Sequence, residues 1–272
     1  MGKAERKFAG VTHVDVHHLT RGGAEEILSL CTSYDVRLTA LGYYPNPLDP
    51  DPVAARRCIQ HLKEVILAAK LLGLETVNTF VGRDWTRTVD ENWPRFLQTW
   101  RPLLAFARDH GVRIGIENCP MSFTRDEWPG GKNLATTPAI WRRMFHDIPD
   151  RNFGLNYDPS HLVLQQMDPA GPLREFQDRI FHVHAKDVKI LRDRLDEVGV
   201  FAFPLEWHQP RIPGFGEIDW AWFMGCLMET RYRGPVCLEV EDDTFGRTLA
   251  GRQQAIRVAG RVLRPFCPGP AL

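Results

Sequence analysis

No stretch of this 272-residue chain approaches the run of about eighteen apolar residues that a membrane-crossing helix needs. Its opening residues, Met1 to Phe8, are charged and lack the apolar core of a secretory leader. The six cysteines (31, 58, 119, 226, 237 and 267) contain no Cys-x-x-Cys pair and most fall inside apolar segments, as in reduced thiols rather than a disulfide framework. Net charge is also missing: 34 Lys and Arg balance 34 Asp and Glu, so no general basic field would gather nucleic acid. These absences predict a soluble cytoplasmic protein with no membrane and no nucleic-acid partner, acting on something small.

Two further absences bear on the fold. No Asn-Gly hairpin signal separates the apolar segments, and no Gly-x-Gly-x-x-Gly follows an early one. What is present is a strand-then-helix rhythm. Ile27, Leu30, Cys31 and Tyr34 recur at helical spacing, and Ile59, Leu62, Ile66 and Ala69 mark a helix over about 54–72. Further helices are expected over 91–110, after Thr137-Pro138, near 172–179, over 219–232 and over 248–263. Strands are expected near 36–44, 76–82, 112–118, 153–158, 180–187 and 236–243, with another near Val11, Val14 and Val16. Repeated strand and helix predict parallel strands joined by crossovers, in one domain over 1–272. Of the two architectures that fit, a barrel brings the ends of successive strands to one mouth.

That mouth is where the chemistry gathers. The segment Val236-Cys237-Leu238-Glu239-Val240-Glu241-Asp242-Asp243 is apolar on one face and carries two carboxylates on the other. Glu117, Asp158 and His184 also stand at strand ends, and the His182, His184, Lys186 row makes a poor apolar core. Each has an ordinary reading, as a loop charge, a turn acid in Asp158-Pro159-Ser160 or a solvated Lys186–Asp187 pair. Jointly, two Glu, one Asp and one His form an oxygen-rich shell with one nitrogen, suited to a divalent ion that keeps positions open for substrate. His182, Lys186 or Asp187 would orient His184 and balance the carboxylates.

The segments Ile116-Glu117-Asn118-Cys119-Pro120, Asn156-Tyr157-Asp158-Pro159-Ser160-His161, Phe181-His182-Val183-His184-Ala185-Lys186-Asp187, Pro213-Gly214-Phe215-Gly216-Glu217-Ile218-Asp219-Trp220 and Cys237-Leu238-Glu239 resemble those of the sugar phosphate isomerase/epimerase family, among the xylose isomerase-like TIM barrels. The resemblance spans about residues 36–265. It implies a TIM-type (β/α) barrel, and with fewer strands in sight than a closed barrel has, one lacking one or two N-terminal βα units. It implies one Mn²⁺ (or Mg²⁺, Co²⁺ or Zn²⁺) per chain on Glu117, Asp158, His184 and Glu239, with Glu117 and Glu239 as the acid/base pair. His161 would meet substrate, and Tyr44, Asn46, Lys186 and His208 are assigned to substrate binding with it. The arginine expected soon after His184 is replaced by Lys186, with Arg192 and Arg194 further on.

The reaction so implied is isomerisation or epimerisation of a sugar or keto-sugar, begun by proton removal next to a carbonyl through an enediolate. A good leaving group on the β-carbon would turn the same intermediate into a lyase or a deglycosidase of 3-keto-glycosides, with His161 or His208 as acid. The Trp128 loop and the segment 203–215, with Trp207 and His208, are aromatic enough to stack on a sugar, and equally read as surface loops with a few buried anchors. An apurinic-site endonuclease would need more histidines and a basic groove. A catalytically silent subunit would need no metal. Open strand edges in a shortened barrel call for cover by the N-terminal segment or by another subunit, and a homo-oligomer is expected.

Overall fold

The computed structural model describes residues 13–122, 125–127 and 130–267. Contacts divide the chain into two compact units, 1–156 and 157–272.

The N-terminal unit contains helix α1 (Arg21–Ser33), strand β1 (Leu41–Gly42), α2 (Pro52–Leu71), β2 (Thr76–Thr79), α3 (Val89–Asp109), β3 (Arg113–Glu117), α4 (Pro138–Asp147) and β4 (Phe153–Tyr157), whose last residue crosses the division. The strands run parallel in the order β1-β2-β3-β4. Helix boundaries follow local chemistry. Asp51 accepts from Val53 N with Pro52 at the first helical position of α2, and Thr88 and Glu91 form a reciprocal capping box at α3. Between strands and helices, Leu62, Ile66, Phe96, Trp100, Ile114 and Phe153 are completely buried. The Trp100 indole donates to the Val81 carbonyl at 3.0 Å, so this large side chain buries its polar atom satisfied.

The expected strand over 36–44 shrinks to Leu41–Gly42. Its partner β2 has four residues, and Asp35 turns the chain with φ of 53° as α1 ends, leaving Val36 exposed. Val14 and Val16 are not in a strand, and Val11 lies outside the described residues, as do Trp128 and Pro129.

The C-terminal unit contains α5 (Ser160–Leu164), α6 (Gly171–Glu175), β5 (Ile180–Ala185), β6 (Asp187–Ile190), α7 (Arg192–Val198), β7 (His208–Arg211), α8 (Trp220–Glu229), β8 (Val236–Leu238), α9 (Asp243–Gly246) and α10 (Leu249–Leu263). Strands β5 and β8 pair in parallel, with His184 opposite Cys237. Among the described residues one unit thus has four parallel strands and the other a parallel pair, with helices between them.

The segment read as irregular over 188–218 holds an antiparallel pair, β6 with β7, in the register Asp187↔Arg211 to Ile190↔His208. Of the two readings of Trp207, a sugar platform or a buried anchor of a surface loop, the structure contains the second: it packs with Val188 and Ile190 under α7 and is 2 % exposed. Beyond β7 the motif Pro213-Gly214-Phe215-Gly216 is built around Asp187. Gly214 has φ of 89°, and a Cβ on Gly216 would stand 2.2 Å from Asp187 Oδ1.

Candidate active site

Strand β4 leads directly into Asp158, which is fully buried. Its Oδ1 accepts from Ser160 N at 2.8 Å and Ser160 Oγ at 2.6 Å, fixing the carboxylate at the start of α5. That one-turn helix is too short to show a period in sequence. It carries His161 back toward the acid, with Nε2 3.3 Å from Asp158 Oδ2.

The end of β5 delivers His184 and then Lys186, and the end of β8 delivers Glu239 and Glu241. His184 Nδ1 lies 3.5 Å from Glu239 Oε2. Lys186 Nζ is the hub of the cluster, 3.2 Å from Asp158 Oδ2, 2.9 Å from Glu239 Oε2 and 3.2 Å from Glu241 Oε2. The Lys186 ammonium is the strongest influence on Glu241 and pulls its pKa down, but burial and the Glu239 charge together raise it above the usual carboxylate range. Cys237 Sγ sits 3.4 Å from His182 Nε2, and the His182 and His184 rings meet edge to face at 5.5 Å.

This geometry overturns one expectation for the 186–187 pair. Lys186, 4 % exposed, pairs with three carboxylates elsewhere in the cluster, and Asp187 is fully buried. Asp187 accepts from Val188 N at 2.9 Å, Ile218 N at 3.1 Å, Gly214 N at 3.1 Å and Trp220 Nε1 at 2.9 Å. Burial pushes its carboxyl up, and these donors oppose the shift. It is the pin of the loop after β7, with no solvated partner.

His208 is 8 % exposed, and its Nδ1 lies within hydrogen-bond reach of the Pro204 carbonyl. Burial, helped by the positive groups His161 and Lys186 and opposed by the Pro204 carbonyl, pushes its pKa from 6.5 down to about 4. A neutral ring with Nδ1–H donated to Pro204 leaves Nε2 as an acceptor, so His208 can receive a substrate hydroxyl and cannot be the acid at neutral pH. The unfolded chain takes up a proton near 6.5 and the folded one only near 4. Stability is therefore full above pH 6.5 and falls by about 3 kcal/mol as the pH drops to 4. Urea unfolding at pH 7 and pH 4 is expected to show that much more acid sensitivity in the parent than in His208→Gln; equal sensitivity would place the ring in solvent.

In the N-terminal unit Glu117 closes β3 and is 4 % exposed. Asn133, which sequence reasoning missed, holds its backbone. Asn133 Nδ2 donates to the carbonyls of Glu117 (2.9 Å) and Cys119 (2.8 Å), while Oδ1 accepts from Val81 N (3.1 Å) and Gly82 N (3.3 Å). The only signal was a polar residue beside Leu134-Ala135 in a long loop. Asn46, assigned to substrate, spends its amide on Arg83 O (2.7 Å), Arg83 N (2.9 Å) and Leu48 N (3.0 Å), as a loop staple. Tyr44 lies against Phe80 at 4.8 Å between centroids, its hydroxyl 3.4 Å from Asn156 Nδ2.

The donor set fits a divalent metal. Asp158, His184 and Glu239 each bring a ligand atom within 4.8 Å of the others. Three carboxylates, of Asp158, Glu239 and Glu241, also converge on the Lys186 ammonium, a donor set rich in negative charge of the kind that holds a cation.

Residues 4–265 match the xylose isomerase-like TIM barrel family, and the chain belongs to it. Among curated relatives it is 30 % identical over 158 residues to an inosose dehydratase of Lacticaseibacillus casei, covering 57 % of this chain and 49 % of that one. It is 31 % identical over 152 residues to a 3-dehydroshikimate dehydratase of Pseudomonas putida, covering 55 % of this chain and 21 % of the relative. The aligned region thus spans about half the length of the inosose dehydratase, or less of the second relative. Solved structures of like fold include D-psicose 3-epimerase of Clostridium cellulolyticum with D-tagatose (TM-score 0.68, 16 % identity, 91 % and 84 % of the two chains). The IolI protein with a bound zinc is another (TM-score 0.69, 17 % identity, 93 % and 85 %). At these identities the likeness establishes the fold. No helix among the described residues is long and apolar enough to cross a membrane.

Proposed function

We propose that this protein is a divalent-metal-dependent enzyme that removes the proton next to the carbonyl of a polyhydroxylated ketone and then expels the β-substituent, a lyase of the dehydratase kind. The observation that carries the reading is the cluster of Asp158, His184 and Glu239 around the buried Lys186. The two curated dehydratases favour elimination over the epimerisation expected from the motifs.

Asp158, His184 and Glu239 would hold the metal, with Glu117 as the fourth ligand on the strength of its motif. When bound, the ion supplies polarisation of the ketone oxygen and the adjacent hydroxyl. Glu239 takes the proton from the α-carbon, and the C–H pair becomes the new C=C bond. His161 holds a proton toward Asp158 and delivers it to the departing β-oxygen as the C–O bond breaks, so water leaves. Lys186 keeps the carboxylates ionised and close together, and neutral His208 accepts a substrate hydroxyl. The partner is a small carbohydrate, with no nucleic acid and no membrane; the protein would be a cytoplasmic homo-oligomer.

The test is to incubate Mn²⁺-loaded protein in deuterated water with free ketoses, an inosose and 3-keto-glycosides, following label and product by NMR. Loss of water or aglycone with the α-proton is the expected result. Label entering an epimer or isomer without elimination would replace the lyase reading by the epimerase one. No exchange from any substrate despite full metal occupancy would overturn both and point to a silent subunit.

A further inference from the structure

A second cluster of metal-competent side chains stands in the N-terminal unit, outside the residues used above. His61 and Glu64 lie one turn apart on α2, and His17 comes from the segment before α1. His17 Nδ1 is 2.8 Å and His61 Nδ1 3.2 Å from the same atom, Glu64 Oε2. The two imidazoles are 4.8 Å apart between centroids and tilted by 57°.

An ordinary histidine–glutamate contact aims an N–H at the oxygen. Here Glu64 Oε2 is buried from solvent and accepts no hydrogen bond among the described residues, despite two ring nitrogens at close range. The other oxygen, Oε1, takes a long 3.5 Å bond from Gln60. Three donor atoms within 4.8 Å of one another, close but not aligned as hydrogen bonds, are arranged as ligands of one ion are. Donors about 2 Å from a shared tetrahedral Zn²⁺ stand roughly 3.3 Å apart, near the two spacings seen. Cys58, a turn earlier on α2, does not join the set: burial pushes its thiol up to about 12, so it stays protonated.

We propose that His17, His61 and Glu64 form a second, structural metal site that takes Zn²⁺ or a divalent metal of similar preference and ties the segment before α1 to α2. Two imidazoles and one carboxylate are a borderline donor set that suits zinc better than Mg²⁺ or Ca²⁺. The His17 side chain is 57 % exposed, which leaves an entry path and a fourth position for water. A metal joining positions far apart in sequence stabilises the folded chain because the unfolded chain lacks the site.

The experiment is Zn²⁺ titration of the full-length protein against a chromophoric chelator, with thermal melting, for the parent, His17→Ala, Glu64→Gln and Glu239→Gln. His17 is exposed, so its variant is expected to keep the fold, checked by circular dichroism. The parent is expected to take up one more equivalent of Zn²⁺ than His17→Ala, whose affinity at this site falls at least about 100-fold. The share of the Zn²⁺-induced rise in Tm that comes from this site should persist in Glu239→Gln and be lost in His17→Ala and Glu64→Gln, where only the smaller rise from the active-site metal remains. Equal Zn²⁺ uptake and an equal Tm rise in the parent and His17→Ala would overturn the proposal. Glu239→Gln reports on the active-site metal separately, so either site can fail without the other.

Discussion

Glu239→Gln is expected to lower exchange of the substrate's α-proton with solvent deuterium by at least about 1,000-fold, the loss typical of a removed general base compounded by a weakened metal site. The amide is isosteric but neutral and a far poorer ligand and base. Glu239 Oε2 is the atom that approaches both His184 Nδ1, at 3.5 Å, and Lys186 Nζ, at 2.9 Å. The fold should survive, because Lys186 retains Asp158 and Glu241 as partners at 3.2 Å each. The readouts are deuterium incorporation by NMR, metal content of the active site and Tm. Exchange within tenfold of the parent, at unchanged Tm, would remove Glu239 from the chemistry and move the base elsewhere in the cluster.

Asp187→Ala should have the largest effect on stability, a loss of about 4 kcal/mol or more in urea unfolding. Four donors, the backbone N–H groups of Val188, Gly214 and Ile218 and the Trp220 indole, converge on this one carboxylate. Removing it strands buried donors, each costing about 1–3 kcal/mol less whatever relaxation recovers. Against a typical net stability of about 5–15 kcal/mol, that is a large share, leaving a marginal fold at the low end of the range. Asp187→Asn keeps one side-chain oxygen and should lose about half as much. A loss below about 1 kcal/mol for Asp187→Ala would mean that water or a neighbouring group replaces the carboxylate, and that the loop over 212–220 is held by something else.

The helices were readable in sequence because an apolar stripe at helical spacing and a capping residue are local properties. Asp51 before Pro52, Thr88 with Glu91 and Thr137 before Pro138 each mark a helix start that the structure contains. The parallel class was readable too, since apolar segments alternating with such helices leave few other topologies. Strand ends were not. The length of β1 depends on how much of β2 remains to pair with it, and the pairing of β6 with β7 joins residues too far apart for any local pattern to announce.

At the candidate site the sequence by itself determined which residues are chemically out of place: Asp158, His184, Lys186, Glu239 and Glu241, polar groups on segments that otherwise read as buried. Their partners were decided by tertiary structure, because Lys186 and Asp187 are adjacent in the chain yet point to opposite sides of it. Lys186 enters the carboxylate cluster, whereas Asp187 turns to the loop after β7. The same holds for Asn46 and Asn133, whose amides match carbonyls and N–H groups 37 and 51 or 52 positions away, and for His208, whose neutral state comes from burial beside Pro204. A hydrogen bond or a desolvated charge is a property of what surrounds a side chain, and those surroundings exist only once distant segments have packed together.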